Sequence, residues 1–123
     1  MAWLGAAAQL RTTDLEQSIR FYAEVLGLEV AFRYEDFYAG IAAGPQIFHL
    51  KQVDRADAAI ADVAANGHLH LFLETDDIES VAARLAAQGV APVRELHATA
   101  WGTREIILRD DQGHTIHVGE VTA

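Results

Sequence analysis

Two stretches of this chain follow one plan, and that repeat limits the possible folds more than any other feature. "TTDLEQSIRFYAEVLG" carries helix signals at both ends. Thr13 and Glu16 have capping-box spacing, and Gly27 suits a left-handed stop. Leu15, Ile19, Tyr22 and Leu26 recur at helical spacing and predict a buried stripe. "TDDIESVAARLAAQG" does the same, with Asp76 and Glu79 as the box, Ile78, Val81 and Leu85 as the stripe, and Gly89 as the stop. Asp14 and Asp77 stand 63 positions apart, and so do Glu16 and Glu79. Equal spacing of this kind points to two copies of one supersecondary unit.

The flanking segments extend the repeat. "AAAQLRTT" reads as a strand before the first helix, and "LEVAFRY", "DFYAGIAA" and "QIFHLKQV" read as strands after it. "HLHLFLET" precedes the second helix, and "VAPVREL", "TREIILR" and "HTIHVGE" follow it. Each half is thus strand, helix, strand, strand, strand. Helices gathered on one side of mostly antiparallel strands give an α+β domain. The 123 residues suit one domain, with a first module at 1–53, a connection at 54–66 and a second module at 67–123. The Ala- and Asp-rich connection, "DRADAAIADVAANG", has room for a helical turn.

Charge narrows the partners. The formal net charge is −9, and Lys51 is the only lysine. Such a chain is poorly suited to nucleic acid, whose binding needs phosphates neutralised by Lys and Arg. It favours cationic small molecules or metal ions, although an acidic surface also serves solubility. With no cysteine, disulfides and thiolate metal sites are excluded. "MAWLGAAAQL" lacks the basic start of a signal peptide, and no run approaches the roughly 18 apolar residues of a membrane span. A cytoplasmic location is expected.

Strand alternation assigns faces. Leu69, Leu71 and Leu73 share the face expected under a helix, and His68, His70, Phe72 and Glu74 share the other. Phe48 and Leu50 oppose Ile47, His49 and Lys51. Ile116 and Val118 oppose Thr115, His117 and Gly119, and Leu10 opposes Ala7, Gln9 and Arg11. If the sheets curve, the polar stripes line a cleft holding His49, His70 and His117. Neutral imidazoles are good ligands for zinc, iron, nickel or copper, and three with a vacant fourth position form a catalytic metal pattern. A single strand histidine is more often hydrogen-bonded filler, the reading given to His68, His97 and His114.

"DLEQSIRFYAEVLGLEV", "HLFLETDDIESVAARLAAQGV" and "WGTREIILRDDQGHTIHVGE" together resemble the glyoxalase I, bleomycin-resistance and extradiol-dioxygenase superfamily, the vicinal oxygen chelate proteins. The resemblance implies two tandem βαβββ modules forming a cupped, mostly antiparallel sheet, often within a homodimer. It places metal ligands at Ala7, His49, His70 and His117. Ala7 cannot coordinate, and histidine stands at positions 49 and 117 where metal-dependent members usually carry glutamate. The resemblance therefore implies two readings. One is a metal-assisted lyase, isomerase or dioxygenase with zinc, iron, nickel or manganese on His49, His70 and His117. In it Glu74 is the general base, and Arg11 or Lys51 holds an anionic group. The other is a metal-free homodimer that sequesters a cationic antibiotic of the bleomycin type and so confers resistance. Gln9 could complete the metal site in the first reading. Aromatics including Phe72 and Trp101 line the small-molecule cleft.

Overall fold

Local capping explains where the helices start. The computed structural model describes residues 1–121. Helix α1 (Leu15–Arg20) is capped by Asp14, whose carboxylate accepts from the Gln17 N–H, and α3 (Ile78–Ala87) by Asp77, which accepts from Ser80. The caps thus lie one residue after Thr13 and Asp76, and the expected boxes do not form. The reason is a hydroxyl two residues before each cap: Thr12 Oγ1 accepts from the Asp14 N–H and Thr75 Oγ1 from the Asp77 N–H. The 63-residue spacing survives the shift. Glu16 and Glu79, freed from capping, pair instead with Arg33 and Arg104.

The stripes behave as their spacing predicts. Leu15, Ile19, Tyr22, Ile78 and Leu85 are buried, and Leu26 and Val81 are half-buried. After α1 the helix widens into a π-helical turn over Phe21–Val25, closed by the Leu26 N–H on the Phe21 carbonyl, and Phe21 is buried as well. Both expected stops hold, with Gly27 and Gly89 at positive φ.

Module 1 builds a sheet from β1 (Gln9–Thr12), β2 (Glu29–Tyr34), β3 (Tyr38–Ala43) and β4 (Gln46–Gln52), in the order β1-β4-β3-β2. Module 2 repeats that order with β5 (Leu71–Glu74), β8 (Thr115–Val121), β7 (Thr103–Arg109) and β6 (Arg94–Ala98). In each sheet the first and last strands pair in parallel and the remaining pairs are antiparallel. This is the α+β architecture of two βαβββ units expected above. The connection forms a helix, α2 (Ala58–Ala65), which buries none of its residues. No helix among the described residues is long and apolar enough to cross a membrane.

One hydrophobic core joins both modules, with Leu10, Ile41, Phe48 and Leu50 from the first and Leu73, Ile106, Leu108, Ile116 and Val118 from the second. A polar clasp also ties them. Tyr22 donates to Asp110 Oδ2 over 2.6 Å, and the Thr13 N–H donates to Gln112 Oε1 over 3.0 Å. Ser18 Oγ lies 2.7 Å from both Thr12 Oγ1 and Asp111 Oδ2. A hydroxyl has one proton, so Ser18 donates to the carboxylate and accepts from Thr12.

One expected face fails. Leu69 is exposed rather than packed with Leu71 and Leu73. The chain bends at His70, and the strand begins only at Leu71.

Candidate functional site

The sheet faces turned away from α1 and α3 carry most of the expected site residues, on two separate floors. On module 1, parallel pairing sets Gln9 beside His49 and Arg11 beside Lys51. Gln9 Nε2 donates to the Tyr38 hydroxyl at 3.1 Å, and that hydroxyl lies 2.9 Å from His49 Nδ1. Phe32 stacks parallel to Tyr38 and meets the His49 ring edge-on at 5.6 Å. Gly40 makes this possible, since a Cβ there would collide with the Phe32 ring.

On module 2, Phe72 sits beside His117, their ring centres 6.4 Å apart. Phe72 lies over Gly119, where a Cβ would fall 2.6 Å from its ring. Glu105 is buried next to them, its carboxylate accepting from Thr103 Oγ1 at 2.8 Å and lying 3.9 Å from His117 Nδ1. Burial lowers the His117 pKa, with Glu105 pulling the other way. Sequence reasoning missed Glu105. Its signal was the alternation of "TREIILR", which puts Thr103, Glu105 and Ile107 on the face of His117.

His70 belongs to neither floor. Its ring packs edge-on against the buried His114 at 4.9 Å, and its Nε2 is buried with no partner. His114 is tied to Asp110 by a 2.8 Å contact from Nδ1. Burial first, then the neighbouring His114, holds the His70 pKa below its ordinary value. The hydrogen bonds from His114 and Tyr22 keep the Asp110 carboxyl low despite its own desolvation.

Among the described residues no group of three or more His, Cys, Asp or Glu side chains is placed to hold an ion. His49 Nδ1 lies against the Tyr38 hydroxyl, the His70 ring against His114, and His117 Nδ1 on the side of Glu105. The three imidazoles are therefore not gathered at one point within the described residues of the chain.

Glu74 and Phe72 line a groove of about 480 Å³ between the modules, with Ala6–Ala8, Leu71, Leu73 and the β3–β4 hairpin around Pro45. Glu74 is exposed and has no side-chain hydrogen bond or ion pair among the described residues. Trp101 sits on the turn between β6 and β7 and is 74% exposed.

Paired βαβββ modules with open polar floors define a class of small α+β cup proteins. The glyoxalase/bleomycin resistance protein/dioxygenase superfamily matches residues 4–118, and the chain belongs to it. No curated protein sequence is a match. Several solved structures share the fold. TioX from Micromonospora sp. ML1 superposes with a TM-score of 0.76 at 18% identity, covering 97% of each chain. Lactoylglutathione lyase from Agrobacterium tumefaciens gives 0.73 at 23%, over 97% of this chain and 95% of that one. A bleomycin-binding protein from Streptomyces verticillus, solved with copper(II)-bleomycin, gives 0.68 at 20%, over 96% of both. At these identities the likeness establishes the fold.

Proposed function

We propose that this protein is a metal-independent homodimeric binding protein that sequesters a planar, cationic small molecule, in the manner of an antibiotic-resistance protein. One observation carries the reading. Each module presents an accessible aromatic ring beside a histidine, Phe32 with His49 and Phe72 with His117, and the two rings are 40% and 42% exposed. Aromatic faces left open in this way suit stacking against a flat ligand. The net charge of −9 favours a cation. The dimer is supported by β2, exposed along its whole length with Val30 and Tyr34 uncovered. A second copy would cover that face and turn two open floors into one cleft.

Thermal unfolding with and without bleomycin tests the reading. A ligand that binds only the folded state stabilises it, by about 2.7 kcal/mol at a hundredfold excess over Kd. A rise in Tm is expected, together with a dimer mass by light scattering. No shift at high ligand concentration would remove the assignment. One tightly held transition metal per protomer in tag-free protein would restore the metalloenzyme reading, with Glu74 as its base.

A further inference from the structure

The two floor histidines occupy matching places in their modules, yet their surroundings polarise them in opposite senses. Tyr38 has one hydroxyl proton. Its oxygen accepts from Gln9. Giving that proton to His49 Nδ1 makes Gln9, Tyr38 and His49 one chain in which each group donates to the next, the arrangement we adopt. An imidazole whose Nδ1 accepts must carry its own hydrogen on Nε2. At His117 the Nδ1 side instead faces a buried carboxylate. Glu105 only accepts when ionised, so it favours the tautomer with hydrogen on Nδ1 and leaves a lone pair on Nε2. The 3.9 Å separation exceeds a formed hydrogen bond, and the carboxylate acts here by orientation through its field. Nothing among the described residues hydrogen-bonds either Nε2, and the His117 side chain keeps 19% of its surface open.

We propose that His49 presents a hydrogen-bond donor and His117 an acceptor to the bound molecule, with Glu105 as the positioning residue that sets His117. This deepens the binding reading and rests on it. The ligand class it names is an aromatic molecule carrying both an acceptor, such as a carbonyl, and a donor, such as a phenol or an ammonium group. Phe32 and Phe72 would supply the stacking, and the two imidazoles would check the rim chemistry.

Tautomers are read directly from long-range proton–nitrogen NMR spectra of the full chain labelled with nitrogen-15 histidine, near neutral pH. His49 is expected to carry hydrogen on Nε2 and His117 on Nδ1. In Glu105→Gln, His117 is expected to move toward the Nε2–H form that free histidine favours, while His49 stays as it was. Tyr38→Phe is expected to perturb His49 alone. Phenol added to the wild type is expected to shift His117 Nε2, and anisole, which has no donor, is not. The same tautomer at both sites, or a Glu105→Gln protein whose His117 is unchanged, would overturn the proposal. Equal responses to phenol and anisole, or none, would remove the ligand class. The tautomers are measured without ligand, so they stand or fall separately from bleomycin binding.

Discussion

The two modules share a plan, and position 22 and its counterpart 63 residues on, position 85, show where they part. Module 1 has Tyr22 and module 2 has Leu85, both fully buried. Tyr22 meets Phe21 and Phe48 edge-on and extends its hydroxyl to Asp110 in the other module. Leu85 lacks that reach. Beside it an apolar groove of about 230 Å³ remains, bounded by Ala82, Val90, Pro92, Leu96 and Ile106. Arg84 returns the contact, donating to the carbonyls of Glu24 and Val25 at the end of the module 1 helix. Two copies of one unit thus become a single body through side chains that differ between them.

The clasp is the place to break this asymmetry. Asp110 accepts from Tyr22, from the ring and backbone of His114, and from the Gln112 N–H. Asp110→Ala would strand those buried donors, at a cost of about 3–5 kcal/mol in urea unfolding. Tyr22→Leu makes module 1 resemble module 2. It removes aromatic volume and one donor to Asp110, and about 2–4 kcal/mol of lost stability is expected. A loss below about 1 kcal/mol in both variants would mean that the modules hold together through the apolar core alone.

Much of this was legible in the sequence. Period 3.6 and period 2 patterns gave the helices and strands, and alternation put His49 and His117 on the open faces, because both sit inside paired strands with buried neighbours. His70 escaped that logic. Its strand starts one residue later, and its ring follows His114, a contact across sequence that alternation cannot express. The caps moved because Thr12 and Thr75 offered a second acceptor. Glu105 is buried beside Gly119, where the missing side chain leaves room for the Phe72 ring, and alternation in one strand does not show what its neighbours leave open.

The paired stops sharpen the comparison at smaller cost. Gly27 and Gly89 have nearly equal φ, +74° and +69°, so alanine meets the same backbone strain at either, about 1 kcal/mol. Only at Gly27 would the new methyl sit 2.9 Å from the Arg84 guanidinium. Gly27→Ala is therefore expected to lose more stability than Gly89→Ala in parallel melts, by a few tenths to about 1 kcal/mol. Equal losses would show that Arg84 swings aside freely and that its bonds to module 1 contribute little.

The smallest effect concerns acid. His70 is the module 2 counterpart of Ala7, so one module alone carries an imidazole there. Burial and His114 depress its folded pKa below the unfolded value of about 6.5. Between those two values the unfolded chain binds more protons, so this contribution is intact above about pH 6.5 and is lost as pH falls. Asp57, at the start of α2, and Asp110 oppose the loss without cancelling it. Burial of Asp111 raises its pKa, which acts the other way, but from the carboxylate range and hence at lower pH. His70→Gln should flatten the fall in unfolding free energy from urea titrations between about pH 7.5 and about pH 5.5, by less than about 1 kcal/mol given its partial exposure. His117 shares the direction of shift and remains in that variant, so some slope should persist. An unchanged slope would mean that the His70–His114 contact opens before it titrates.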